Sequence, residues 1–371
     1  MAPPEPGLAR RLGTRDAVVI GLGSMVGAGV FAAFGPAARA AGAGLLVGLA
    51  IAAVIAYCNA TASAQLAAAY PTSGGTYVYG RERLGHWPGF VAGWGFVVGK
   101  TASCAAMALT FATYAVPAPG WPQRLVAVAG VLGLTALNYR GITRTAALTR
   151  ILVTCTLLAL TTIVVAIAVG GGAGHADLGD WYAGGALGIL QSAGLLFFAF
   201  AGYARIATLG EEVRDPERTI PRAILIALGI AVVVYLVVGT SALLAAGPDR
   251  LAAASAPLAE AVRAAGAGAV APVVRVGGVL ASLGALLALI AGVSRTSLAM
   301  ARNRDLPRWL AAVHPRHQVP HHADLALAAV VTLLVLTGDL REVIGFSSFG
   351  VLVYYLIANV AAWTQPREQR R

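Results

Sequence analysis

Two basic side chains stand where charge is expensive. Lys100 lies inside the apolar run Phe96-Val97-Val98-Gly99-Lys100-Thr101-Ala102-Ser103-Cys104, and Arg205 closes another such run. A charge at the centre of a bilayer costs about 2.5–3.5 kcal/mol on insertion scales, so such residues face protein or water and mark function by default. An ammonium can release and regain a proton, whereas a guanidinium stays charged. Lys100 therefore reads as a proton-coupling group; the competing reading is a structural lysine bound to carbonyls at a helix break or snorkelling along its stem. Arg205 lies one heptad before Glu212. It reads either as the partner of Glu212 or Glu211 in a vestibule salt bridge, or as a fixed cation that favours acidic substrates or replaces a bound sodium. His314, His317, His321 and His322 have spacing that can hold zinc, but no cysteine or carboxylate stands close by, and a solvated loop competes. Asp16 opens the first apolar run as a cap or gate residue. The chain has no G-x-S-x-G elbow and no phosphate-binding G-x-x-x-x-G-K-[ST], so neither a hydrolase nor an ATP-driven pump is indicated.

A second chemistry is carried by backbone. The run Ala17 to Phe31 contains Gly21, Gly23, Gly27 and Gly29. Glycine costs about 1 kcal/mol per site in a helix interior relative to alanine. A break at membrane depth is tolerated only where the freed groups line a cavity or are buried in protein. Unwinding between Gly23 and Gly29 leaves amides that favour a carboxylate and carbonyls that accept from an ammonium. One break thus suits both ends of an α-amino acid. A packing face competes, since Gly23 and Gly27 also match small-xxx-small spacing. A weaker second break is marked by Gly202 in Phe197-Phe198-Ala199-Phe200-Ala201-Gly202-Tyr203-Ala204.

The elements that must position these residues are membrane spans. Of 371 residues 58% are hydrophobic and only 12% charged, against about 25% charged in soluble domains. About ten apolar segments follow, near 16–36, 42–66, 88–115, 122–138, 146–169, 185–208, 222–246, 272–299, 323–338 and 340–363. Alternating sides from a cytoplasmic N-terminus gathers Arg10, Arg11, Arg15, Arg81, Arg83, Arg140, Arg144, Arg150, Arg214, Arg218, Arg222, Arg302, Arg304, Arg308, Arg316, Arg367, Arg370 and Arg371 inside, against Arg39, Arg124, Arg250, Arg263, Arg275 and Arg341 outside. That bias orients a multi-pass inner-membrane protein with both termini cytoplasmic. It also accounts for the net charge of +11 without nucleic acid. Cys58, Cys104 and Cys155 fall within spans, so no external disulfide is expected. The basic N-terminus before an apolar run could imitate a signal peptide, but the run is longer than a signal core and reads as an uncleaved first helix. No segment is long enough for a soluble domain, so residues 1–371 form one membrane domain. Ten spans divide as five plus five, about 15–170 and 185–365, and an odd-numbered repeat inverts its second copy.

Gly23-Ser24-Met25-Val26-Gly27-Ala28-Gly29-Val30-Phe31 closely resembles the first-helix signature of amino acid–polyamine–organocation (APC) superfamily permeases. Phe198-Ala199-Phe200-Ala201-Gly202-Tyr203 with Glu211-Glu212-Val213-Arg214-Asp215-Pro216 resembles the family's helix-six run and following loop. Tyr70-Pro71-Thr72-Ser73-Gly74-Gly75-Thr76-Tyr77 and Asn138-Tyr139-Arg140-Gly141 resemble two further motifs, in order and at fitting spacing. The resemblance implies an all-α, leucine-transporter-like inverted repeat and alternating access around helices one and six. It implies a substrate carboxylate on the amides of Val26, Gly27, Ala28 and Gly29. The amino group would meet carbonyls near Gly23, Ser24 and Met25 and near Phe198, Ala199, Phe200 and Ala201, beside Gly202. Phe198 takes the place of the family's aromatic gate, often tryptophan in arginine-handling relatives. The helix-five lysine of several proton-coupled relatives falls at Thr156, so Lys100 is the candidate replacement, and Arg205 completes the candidate ion-coupling set. Family members usually carry twelve spans; loss of the last two need not remove transport. The implied function is secondary transport of amino acids by proton symport or exchange, within a lipid bilayer and without cofactor or metal. Polyamine or organic-cation transport, and a non-transporting sensor or accessory role, are the alternatives. The sequence does not set the oligomeric state or the substrate.

Overall fold

The computed structural model describes residues 8–116, 120–170, 181–254, 256–338 and 340–366, and for Ala28 and residues 340–349 the backbone alone. Six stretches are long and apolar enough to cross a membrane, and among the described residues there is no strand beyond two isolated bridges.

The first apolar segment is α1 (Thr14–Met25), α2 (Ala28–Ala32) and α3 (Phe34–Ala41). Ala33 keeps helical backbone between α2 and α3, so these two act as one rod after the break. Then come α4 (Leu45–Ala69), the short α5 (Thr76–Leu84), α6 (His86–Ala115), α7 (Trp121–Tyr139) and α8 (Ile142–Val169). The second half opens with α9 (Gly185–Phe200) and α10 (Ala204–Ala207), followed by α11 (Pro216–Ala253), α12 (Pro257–Ala264), α13 (Ala271–Arg302), α14 (His321–Thr337) and α15 (Leu340–Trp363). Helices stand at each apolar segment read from the sequence. Three of them, over Gly185–Phe200, His321–Thr337 and Gly350–Trp363, are short apolar pieces.

The alanine-rich stretch near 247–271 is mostly helical rather than an open loop. At Gly247, with φ of 72°, the chain turns sharply before Pro248 and re-enters helix. Proline cannot donate to the preceding turn, and glycine accepts the left-handed backbone at no steric cost.

The broken α1 sits centrally, touching α8, α10, α11 and α13, while α4 packs on α9, and α6 on both α13 and α15. Small residues permit this closeness, as between lipid-embedded helices generally. A Cβ on Gly95 would lie 3.2 Å from the Gly350 carbonyl oxygen, and one on Gly80 would lie 3.1 Å from Gly89 Cα. Large apolar side chains instead point outward, with Val54, Leu158, Leu187, Leu333 and Leu356 exposed. That pattern fits lipid as the solvent.

Candidate functional site

The first break is a tight backbone reversal at Val26 and Gly27. The Val26 N–H still donates to Leu22 at 2.7 Å, but Val26 has φ −77° and ψ 56°, and the Gly27 N–H donates to the Met25 carbonyl two residues back at 2.7 Å. That is an inverse γ-turn. Gly27 is then extended (φ −104°, ψ −150°), and α2 starts beyond it. The glycines around the turn are spent on packing. A Cβ on Gly23 would meet Thr149 at 2.8 Å, on Gly27 Ala285 at 2.7 Å, and on Gly29 Ala199 at 2.8 Å. The competing ligand-site and packing readings of these glycines are therefore not exclusive: their missing side chains seat neighbouring helices while the turn between them frees backbone.

The second break has another form. From Ala201 to Glu212 the chain winds through successive three-residue turns: Ala201 N–H to Phe198, Arg205 to Gly202, Ile206 to Tyr203, Thr208 to Arg205 and Leu209 to Ile206. Gly202 is pressed against the first break, and a Cβ there would overlap the Ser24 carbonyl group.

Side chains staple the two breaks together. The Ser24 hydroxyl lies 2.9 Å from the Gly21 carbonyl and 2.7 Å from that of Gly202. The Tyr235 hydroxyl, from α11, is shared between the carbonyls of Met25 and Ala199, and the Tyr355 hydroxyl, from α15, donates to the Ala201 carbonyl at 2.8 Å. Neither tyrosine was singled out in the sequence. The signal available was a tyrosine in each of two otherwise apolar runs, since a buried tyrosine hydroxyl usually finds a partner.

Between the breaks lies a cavity of about 50 Å³, room for a few waters. Ser24, Met25, Gly27, Gly29, Phe198, Ala199, Ala201 and Gly202 line it, together with Lys100 and Arg205. Phe96, Ser103 and Met107 from α6, Ala204 from α10, and Ala285 and Leu289 from α13 complete the wall and were not anticipated. Four expected positions turn elsewhere. Gly23 backs onto Thr149 and Val153, Val26 is core, Phe200 packs on Tyr235 with ring centroids 4.8 Å apart, and Thr156 is buried on α8 outside the lining. The Ala28 side chain falls outside the described residues. Two larger apolar hollows, about 630 and 550 Å³, are lined largely by aliphatic side chains, with exposed Trp94 and Val330 in one and Leu352 and Leu356 in the other.

The salt-bridge reading of Arg205 is corrected. Glu212 is held by Arg295 of α13, with oxygens 2.6 and 2.8 Å from the guanidinium and both side chains fully buried. Glu211 pairs with Arg302 at 2.9 Å. A fork that matches both carboxylate oxygens outcompetes a single contact. Arg205 is in none of the ion pairs among the described residues, and its Nε and Nη1 have no hydrogen-bond partner. Its Cζ lies 5.4 Å from the centroid of Phe96, within cation–π range.

Contacts between distant parts of the chain gather at the end of the bundle that carries Asp16. Asp16 accepts from the Gly13 N–H at 3.2 Å, as a cap does, and pairs with Arg150 at 2.8 Å. Leu12 bridges to Val213, and Ser73 to Leu209. Gly74 and Gly75, with φ of 115° and 55°, make the turn that brings Ser73 there. Asn138 donates to Asp324 at 2.8 Å and accepts from Thr145 at 3.1 Å, so that motif is a buried tie between α7, α8 and α14. His314, His317 and His321 gather around the ring of Tyr139, and His322 lies against Trp309; no group of three or more ligands that could hold a metal occurs among the described residues. Desolvation, then His314 and nearby arginines, push the His317 imidazole below its ordinary pKa.

The amino acid permease family profile matches residues 12–370, so the chain belongs to that family, within the APC superfamily, and is a transporter rather than an enzyme. An uncharacterized transporter of Mycobacterium tuberculosis is 63% identical over 98% of this chain and 82% of its own length. The branched-chain amino acid permease of Bacillus subtilis is 25% identical over 98% and 83%, and cationic amino acid transporter 7 of Arabidopsis thaliana is 29% identical over 95% and 65%. The molecule is thus a multi-pass membrane transporter for small molecules.

Proposed function

We propose that this chain carries amino acids across the cytoplasmic membrane by alternating access, coupled to protons, with both termini cytoplasmic. The observation that carries the reading is the cavity held between two helix breaks, lined by Ser24, Met25, Gly27 and Gly29 from the first and by Phe198, Ala199, Ala201 and Gly202 from the second. Amides beyond the first break suit a carboxylate, and the second lone pairs of carbonyls at the two breaks suit an ammonium. Backbone recognises what every α-amino acid shares and leaves selectivity to the side-chain wall.

Helix pairing supports a five-plus-five repeat. Moving five spans along turns the α1–α11 contact into α9–α4 and the α8–α13 contact into α15–α6; all four are present. In that arrangement the set of contacts around Asp16, Leu12 and Glu211 is the cytoplasmic gate. Asp16 precedes Ser24 by eight residues, about 12 Å of helix. Opening requires the Asp16–Arg150 and Glu211–Arg302 pairs to part. Both are partly exposed, so each holds the gate with no more than about 1 kcal/mol.

Lys100 is buried, lines the cavity and carries the proton in this scheme, because Arg205 does not titrate. The relatives' names point to branched-chain and to cationic amino acids, so they do not converge on one side chain. A wall with two basic residues weighs against polyamines and other cations. The test is uptake of labelled amino acids by proteoliposomes under an imposed pH gradient. Wild type is expected to accumulate substrate when the gradient favours proton entry, and Lys100→Ala to lose that dependence. An unchanged pH-gradient dependence in Lys100→Ala removes the coupling role, and binding without flux removes transport itself.

A further inference from the structure

Backbone recognition of a zwitterion leaves Arg205 without a task. The side chain is 3% exposed, reaches the cavity, and has two guanidinium nitrogens with no protein partner. An uncompensated buried cation is strongly disfavoured unless something pairs with it. The carboxylates that follow it in sequence are engaged elsewhere, Glu211 by Arg302 and Glu212 by Arg295. The ring of Phe96 offers a partial substitute, since a cation–π contact accepts charge without supplying hydrogen bonds. The fold also makes room for this group: a Cβ on Gly292 of α13 would overlap the guanidinium. Lys100 stands in the same wall, and no carboxylate is among the residues that line the cavity.

We propose that Arg205, with Lys100 beside it, is an anion subsite of this cavity, taking either the second acid group of an acidic amino acid or a small inorganic anion such as chloride. The inference rests on reading the cavity as an amino acid site. A planar guanidinium with free N–H groups matches a carboxylate bidentately. A neutral side chain leaves the guanidinium unpaired, and a cationic one is repelled by it.

The test uses the full chain in detergent and reads ligand affinity from the rise in melting temperature, which grows with ligand concentration relative to Kd. L-Glutamate, L-glutamine and L-arginine are titrated in gluconate and in chloride buffers, on wild type and Arg205→Gln. If the substrate supplies the anion, L-glutamate binds wild type at least about tenfold more tightly than L-glutamine in gluconate, and Arg205→Gln erases the preference. If the anion is inorganic, chloride alone stabilises wild type and Arg205→Gln erases that response; this also supports the subsite. Identical ligand and chloride responses in wild type and Arg205→Gln overturn it, as does L-arginine binding wild type as tightly as L-glutamate in gluconate with no response to chloride. Should Arg205→Gln fail to fold, Arg205→Lys keeps the charge without the fork. It is expected to keep the wild-type anion response, to L-glutamate or to chloride, with several-fold weaker affinity, and indifference to both anions overturns the subsite. The two readings fail differently: chloride stabilisation with no amino acid binding removes the amino acid site, whereas tight binding of neutral amino acids without any anion effect removes only the subsite.

Discussion

The two helix breaks meet at one cavity but are made by different means. The first is a single sharp turn at Val26 and Gly27, in a stretch where four glycines advertise it. The second is a gradual tightening from Ala201 to Glu212 with Gly202 as its principal mark. Neither Gly27 nor Gly202 is needed for a left-handed backbone. Gly27 leaves space for Ala285, and Gly202 leaves space for the first break itself. A break in a membrane helix is therefore sustained less by the residue that starts it than by the hydroxyls that donate to its freed carbonyls: Tyr235, Tyr355 and Ser24.

The second break should fail first when its anchor is removed. Arg295→Met strands a fully buried Glu212 just beyond it, and loss of one partner of such a pair costs about 3–5 kcal/mol. The expected result is a large fall in melting temperature, or no folded protein, with Glu212→Gln close behind. Gly202→Ala forces a methyl into the Ser24 carbonyl and should cost about 1–3 kcal/mol by overpacking; thermal unfolding in detergent measures it. The same change at Gly194, which has open space around it, should cost nothing measurable. Tyr235→Phe removes the hydroxyl shared by both breaks and leaves buried carbonyls short of a partner, worth about 1–2 kcal/mol. Hydrogen exchange at Val26 to Gly29 and at Ala201 to Arg205 should rise together. A rise at one break alone would show that the tyrosine does not couple them. Ser24→Ala is the mildest, about 0.5–1.5 kcal/mol, because one hydroxyl contact between the breaks is lost while packing is kept.

Much of this was legible in sequence, and the reason is the solvent. Lipid demands about twenty apolar residues per span and internal satisfaction of every backbone group. Apolar runs and interruptions therefore show directly as helices and breaks, and helix ends fell close to the boundaries read from residues alone. The cavity positions were legible around the two glycine-marked breaks, at Ser24, Met25, Gly27 and Gly29 and at Phe198, Ala199, Ala201 and Gly202. Phe96, Ala285 and Leu289 were not, because a helix that is apolar all round does not announce which face looks inward. The pairing of Arg205 was misread for a related reason. One heptad places Arg205 and Glu212 on one face only if the helix is continuous. Here the chain tightens between them and turns Glu212 towards α13.

Sequence by itself determined the membrane class, the order of helices, both breaks and the family, because hydrophobicity and glycine act locally along the chain. Only the tertiary structure decided which charges are paired. Arg295 and Arg205 are both buried basic residues near the ends of apolar runs, and nothing in their surroundings in sequence separates them. One met a carboxylate arriving from beyond the second break; the other met a phenylalanine, a glycine-sized gap and a cavity. Coulomb energy depends on distance in space, so the same residue type became a strut in one place and a free cation in the other.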